Sequence, residues 1–99
     1  MVDSWEIDFE WDENKAAINV AKHGVSFERA ATAFDDRHAR RIPDPDHSGE
    51  EERFVLLGLD STADVLVVCH CYRRGGAIRL ISARRATKNE ARSYWRWRS

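Results

Sequence analysis

Val65-Leu-Val-Val-Cys-His-Cys-Tyr72, then Arg73-Arg-Gly-Gly76, then Ala77-Ile-Arg-Leu-Ile-Ser-Ala83: two runs rich in apolar and β-branched residues, joined through a pair of glycines, read as a β-hairpin. Period two puts Ile78, Leu80 and Ser82 on one face of the second run, with Arg79 and Ile81 on the other. In the first run Val65, Val67, Cys69 and Cys71 oppose Leu66, Val68, His70 and Tyr72. An arginine and a histidine therefore rise from adjacent strands among apolar neighbours, where a charge is costly unless something pairs with it. Arg79 either closes an internal ion pair with an acid of the first half or serves an anionic ligand.

Outward from the hairpin the pattern stays regular. Phe54–Leu59 reads as a further strand and Ala39–Ile42 as a short one, while Pro43-Asp-Pro-Asp-His-Ser-Gly49 is a loop by its turn residues. Upstream, Ser26 caps a helix whose Phe27, Ala30, Ala31 and Phe34 repeat at i, i+3, i+4 and i+7. Before it, Asp12 is the N-cap of a helix through about His23, with Gly24 at the left-handed C-cap position. Trp5-Glu-Ile-Asp-Phe-Glu-Trp11 alternates apolar and acidic residues, which predicts a strand with Trp5, Ile7, Phe9 and Trp11 inward. Downstream, Thr87-Lys-Asn-Glu90 is a capping box opening a last helix, with Ala91, Tyr94, Trp95 and Arg98 on one face. The order β-α-α-β-β-β-β-α predicts an α+β fold: two N-terminal helices after a first strand, an antiparallel sheet and a C-terminal helix.

Ninety-nine residues make a single domain, 1–99. The 42% hydrophobic and 33% charged content excludes wholesale disorder. The longest unbroken apolar run is Val65–Cys69, too short to span a bilayer, so no membrane role is expected. Nothing in Met1-Val-Asp-Ser-Trp-Glu6 resembles a secretory signal, two cysteines do not build a disulfide framework, and the cytoplasm is the expected location. The net charge of −1 hides a division: residues 1–52 carry fourteen acidic and six basic residues, residues 53–99 three acidic and ten basic. The halves neutralise each other, or the second half forms a basic surface for an anionic partner.

Arg84, Arg85 and Lys88 stand where strand gives way to helix, and arginine forks beside free helix amides suit phosphate oxygens. Arg92, Arg96 and Arg98 extend that surface with Tyr94, Trp95 and Trp97 interleaved, a mixture that suits single-stranded RNA. For the aromatics packing is the preferred reading, Tyr94 and Trp95 in the core and Trp97 docking the terminus; Tyr94 is retained beside Lys88 and Arg92 as an RNA contact. Lys22 and His23 end the first helix, where a cation suits the helix dipole and a histidine moves protons near neutral pH. Glu50-Glu51-Glu52-Arg53 is an acidic run that is a solvated rim, supplies a carboxylate base, or orients Arg53. Metal sites are disfavoured: alternation sends His70 away from Cys69 and Cys71, and Asp44, Asp46 and His47 sit in an ordinary loop. No phosphate-cradling glycine loop and no nucleophile elbow is present, and no cofactor is expected.

Phe9-Glu-Trp-Asp-Glu-Asn-Lys15, Asn19, Lys22-His-Gly-Val-Ser-Phe27, the Phe34-Asp-Asp36 ending, Glu52-Arg53, Gly58 and Arg79-Leu-Ile-Ser-Ala-Arg-Arg-Ala86 together resemble the BrnT family, over about Ile7 to Tyr94. The resemblance implies a RelE-like fold and a bacterial ribonuclease toxin of a type II toxin–antitoxin pair. It also implies a BrnA-type antitoxin that binds the toxin and represses the shared promoter, so that operator DNA is met only through the antitoxin. The matching motif positions are Lys22, His23, Glu52, Arg53, Arg79, Ser82, Arg84, Arg85 and Tyr94. The tail Tyr94-Trp-Arg-Trp-Arg-Ser99 departs from the motif.

The expected function is thus that of a metal-independent endoribonuclease acting on messenger RNA through its 2′-hydroxyl and so inhibiting translation. Such a reaction needs a base, cations on the charged phosphorane, and an acid for the leaving oxygen. Arg79 with Arg84 or Arg85 is expected to hold the phosphorane, Lys22, His23 or Glu52 to be the base beside Arg53, and His70 or Tyr94 the acid. The alternative is a non-catalytic RNA-binding or antitoxin-binding co-repressor module of the same fold.

Overall fold

The chain was analysed as a computed structural model that describes residues 7–44 and 51–99. A short strand β1 (Phe9–Glu10) leads into helices α1 (Glu13–His23) and α2 (Phe27–Thr32) and a 3-10 turn, Ala33–Asp35. Strands β2 (Arg40–Pro43), β3 (Arg53–Leu59), β4 (Val65–Tyr72) and β5 (Ile78–Arg85) follow, and helix α3 (Lys88–Arg98) closes the fold. The five strands form one sheet in the order β1-β5-β4-β3-β2. No helix among the described residues is long and apolar enough to cross a membrane.

The caps stand where the residue types place them. Asp12 accepts from the amides of Asn14 and Lys15, Gly24 takes the left-handed φ of 71°, and Ser26 accepts from Arg29. At α3 the Thr87 hydroxyl and the Glu90 carboxylate exchange bonds with each other's backbone amides. Gly75 and Gly76 turn the β4–β5 hairpin at φ of 91° and 98°, values a side chain rarely tolerates.

Several expectations are corrected. The ladder of the first strand holds only Phe9 and Glu10; Ile7 is exposed, and Trp5 and Glu6 lie outside the described residues. That strand pairs parallel with β5, so the sheet is mixed: a chain returning through helices can lay a strand alongside in either direction, whereas a tight hairpin forces antiparallel. Pro43 belongs to β2, and residues 45–49 of the expected loop, with Asp46 and His47, lie outside the described residues.

The largest correction concerns β5. Cys69 pairs with Ser82 but His70 pairs with Leu80, so Ile81 is an extra residue, a bulge. Alternation resets there: Ala83, not Ser82, joins Ile78 and Leu80 in the core, and the strand runs on to Arg85. On the turn side of the bulge His70 and Arg79 lie on opposite faces, since their cross-strand partners are Leu80 and Cys71.

One face of the sheet packs against α1, α2 and the 3-10 turn through a core that includes Val25, Phe27, Ala30, Leu56, Val68 and Leu80. Gly58 admits this packing, because a Cβ there would lie 3.0 Å from the Ala33 carbonyl oxygen. Buried Asn19 of α1 fastens the two layers. Its amide nitrogen donates to the carbonyls of Val25 and Ala83 at 2.8 Å each, and its oxygen accepts from the Ala83 amide at 3.1 Å. The side chain so occupies the place of a neighbouring strand beyond the short reach of β1. Asn19→Ala leaves up to three backbone groups without partners and is expected to destabilise the protein by about 3 kcal/mol. Thermal unfolding would read this as a midpoint lowered by roughly 12 °C or more.

Candidate active site

The opposite face of the sheet gathers the arginines. Paired residues share a face, so the registers of β1, β5, β4 and β3 place Glu10, Arg79, Cys71 and Arg53 in one transverse row. Two residues along, Ser82, Cys69 and Val55 form a second row, and Arg84, Val67, Leu57 and Arg40 a third. Helix α3 lies against the third row and leaves the first uncovered: Glu90 meets Arg84, and Trp97 stacks on Arg40.

Around the first row the side chains form a charged cleft of about 470 Å³ lined by Glu10, Glu51, Tyr72, Arg73, Arg74 and Ala77. Glu10 lies 3.1 Å from Arg79 and 3.4 Å from Arg73, and Arg73 bonds Glu51 at 2.6 Å. The Tyr72 ring itself turns to the other face, where its hydroxyl accepts from Arg41 at 2.8 Å beside Phe54 and His70. Arginines able to bind a phosphate thus stand within bonding distance of carboxylates able to take a proton. The two thiols on this face are held toward their protonated form. Burial, then the Asp44 carboxylate, raises the Cys69 pKa, and burial, then Glu51, raises that of Cys71.

The expected site residues separate into groups. Arg53, Arg79 and Arg84 share the arginine face, and Glu52 is exposed immediately before β3. Arg84 is already gripped: Glu90 receives it at 2.8 and 2.9 Å, and this bond, against the opposing effect of burial, holds Glu90 down to about 2. Arg85, paired with Leu66, points to the helical face, 3.5 Å from Asp64 and beside Gly24. Exposed Lys22 and half-buried His23 end α1 next to that glycine, so these two and Arg85 are set apart from Arg79. Lys88 and Arg92 are exposed on α3, Arg92 bonding Asn89. The metal-like run Cys69-His70-Cys71 is divided between the two faces.

Two assignments are overturned by burial. Tyr94 is 0% exposed and donates to Asp36 at 2.5 Å, so it neither stacks on RNA nor reaches a leaving group. Burial, reinforced by Asp36, raises its pKa and keeps the phenol protonated, while Asp36 also anchors the Leu59 amide. His70, equally inaccessible, sits among Phe34, Phe54 and Tyr72, with Nδ1 3.0 Å from the Val68 carbonyl and, among the described residues, no partner at Nε2. Sequence reasoning missed Glu10, Arg73 and Arg74. The acidic run had flagged Glu51 but the choice fell on Glu52; Glu10 needed the parallel pairing, which no local pattern encodes.

Against these observations stand the likenesses to known proteins. The profile of the family described as ribonuclease toxin, BrnT, of type II toxin–antitoxin system matches residues 11–90. A crystal structure of the Brucella abortus ribonuclease toxin BrnT, at 1.1 Å resolution, is similar in fold, with a TM-score of 0.66 and 24% sequence identity. The match covers 83% of this chain and 99% of that one. No curated protein matches the sequence.

Burial, aided by the nearby Arg41, lowers the His70 pKa against the raising effect of the Val68 carbonyl, so the folded protein keeps this ring neutral. The unfolded chain binds a proton near the ordinary histidine pKa of about 6.5; stability is therefore complete above that pH and falls below it. In His70→Phe this component is absent. The drop in unfolding midpoint between pH 7.5 and pH 5 should be smaller than in the parent by several degrees, on the order of 1 kcal/mol; equal drops would remove His70 from the acid response.

Proposed function

Because the chain belongs to the BrnT family of ribonuclease toxins of type II toxin–antitoxin systems, we propose that it is an endoribonuclease that cuts messenger RNA without a metal ion, on the sheet face turned away from α1 and α2. The observation that carries this reading is the row Arg53, Cys71, Arg79 and Glu10 with its adjoining cleft. Arg53 and Arg79 stand two strands apart, about 10 Å at the backbone, and bracket a phosphodiester between them. As RNA enters, Arg79 exchanges its bond to Glu10 for one to a phosphate oxygen, which leaves the Glu10 carboxylate beside the ribose.

Glu10 takes the proton of the 2′-hydroxyl, and the freed oxygen attacks the adjacent phosphorus. Arg53, Arg79 and Arg73 hold the charge that grows on the phosphorane oxygens. The departing 5′-oxygen takes its proton from solvent water entering the open cleft. The products are a 2′,3′-cyclic phosphate and a 5′-hydroxyl, and DNA, without a 2′-hydroxyl, is not cut. Arg84, about 13 Å along the sheet, together with Lys88 and Arg92, holds flanking phosphates. A BrnA-type antitoxin neutralises the enzyme in the cytoplasm by covering this face, and operator DNA is engaged through that antitoxin.

The test is cleavage of end-labelled RNA by the purified protein in excess chelator, with the product ends identified. Cyclic-phosphate ends are expected, along with a resistant bond wherever the sugar before it is 2′-deoxy. Arg79→Ala and Glu10→Gln should each slow cleavage on the order of a hundredfold while the unfolding midpoint stays within a few degrees. Cleavage at the parent rate by both variants would sink this assignment of the site.

A further inference from the structure

Beside the third row of the arginine face, between α3 and strands β2, β3 and β4, lies a groove of about 210 Å³ that the proposed reaction does not use. Its floor is apolar: Ile42, Val55, Leu57 and Val67. Its polar lining is limited to Arg40, Ser93 and Glu90. Glu90 is already engaged on both oxygens by Arg84 and by the Thr87 amide, so it offers the groove no free charge. Trp97 is 59% exposed and its ring lies over the Arg40 guanidinium, 4.5 Å from centroid to carbon. Glu90, Ser93 and Trp97 fall at i, i+3 and i+7 on one face of α3; the first two line the groove and Trp97 adjoins it through its stack on Arg40.

The charge around it selects the occupant. Helix α3 carries Lys88, Arg92, Arg96 and Arg98 against Glu90 alone, and Arg84 neutralises that acid. A slot with an apolar floor, a lining guanidinium stacked on a neighbouring indole and a cation-rich helix alongside has the elements that hold an unpaired base while its phosphates are neutralised. The volume is below that of pockets for drug-sized ligands and suits one flat ring system.

We propose that this groove is a nucleobase subsite: one unpaired base of the RNA, displaced from the point of cleavage, inserts over Val55, Leu57 and Val67 with its plane against the Arg40–Trp97 stack. The inference rests on the ribonuclease reading and adds to it a second point of attachment, which fixes the register of the strand over Arg53 and Arg79. Trp97 is thus a binding residue, remote from the bond that breaks.

The experiment measures the affinity of the full-length protein for a short fluorescent single-stranded RNA, methylated at every 2′-oxygen so that it cannot be cut. Parent, Trp97→Ala and Trp97→Phe are compared, and the probe is remade with one base removed at each position in turn. Trp97→Ala should weaken binding about five- to a hundredfold and Trp97→Phe should restore most of it. Removing one particular base should weaken the parent and leave Trp97→Ala unchanged. Equal affinity of parent and Trp97→Ala, or equal sensitivity of both to the missing base, overturns the subsite. So does a Trp97→Ala protein that binds RNA normally but has lost self-association or antitoxin binding, since the groove then seats a protein. A parent that cuts RNA yet shows no Trp97 effect loses the subsite alone; a parent that neither binds nor cuts RNA loses the ribonuclease reading and the subsite together.

Discussion

The side chain of Asn19 fixes the arrangement on which the rest of the structure depends. Its three buried bonds hold the backbone of Ala83 and the carbonyl of Val25, so helix α1, the turn at Gly24 and strand β5 are tied together. Ala83 stands two residues beyond the bulged Ile81. Clamping it there fixes the register after the bulge, and a one-residue slip would exchange the faces of everything that follows. With Ala83 in the core, Arg84 falls on the arginine face and Arg85 beside the end of α1. The bulge and its clamp thus decide which of two adjacent arginines can share a ligand with Arg79.

The division of charge along the chain is resolved in two ways at once. Glu10 and Glu51 of the acidic half meet Arg73 and Arg79 of the basic half. In the reverse sense, Arg29 bonds Asp60 at 2.6 Å and also Asp64, closing the β3–β4 turn. Burial would raise the Asp60 pKa, but bonds from Asp64, Thr62 and Arg29 together hold it below its usual value. These pairs differ in depth: the Asp60 side chain is fully enclosed, whereas Glu10, Glu51 and Arg73 are more than 40% open. An exposed pair is worth little to stability and separates readily when an anion competes for the arginine, which suits a cleft that must open its ion pairs to bind phosphate.

Helix α3 is secured to the fold by few but specific contacts. The Tyr94 phenol reaches Asp36 at the end of the 3-10 turn, the same carboxylate oxygen accepts from Leu59 of β3, and the Arg84–Glu90 fork ties the first turn to β5. Tyr94 being spent on anchoring, the face of α3 bearing Glu90 and Ser93 lines the apolar groove, with Trp97 stacked on Arg40 beside it, while Lys88, Arg92 and Arg96 remain exposed. One helix therefore serves the core and the proposed RNA surface with different faces.

Element types and most of their ends were legible in the sequence because they are set by neighbours in the chain: Asp12, Ser26 and Thr87 cap with their own side chains, Gly24 and Gly75-Gly76 supply the positive φ, and alternation marks β4 to the residue. Arg53, Arg79 and Arg84 were legible as candidates for the same reason, being charges inside or beside apolar strands. What failed was whatever depended on distant partners. Period two counted through Ile81 because nothing local announces a bulge, and it placed Ser82 on the face of Ile78 and Leu80, where Ala83 stands instead. Glu10 looked like a solvated rim residue until β1 lay parallel to β5 and brought it to Arg79, and Tyr94 and His70 looked like proton donors until packing closed over them. The sequence by itself determined the helices, the strands and the family. Tertiary structure alone decided which charges face one another, because sheet register, burial and the direction of strand pairing are properties of contacts between segments far apart in the chain.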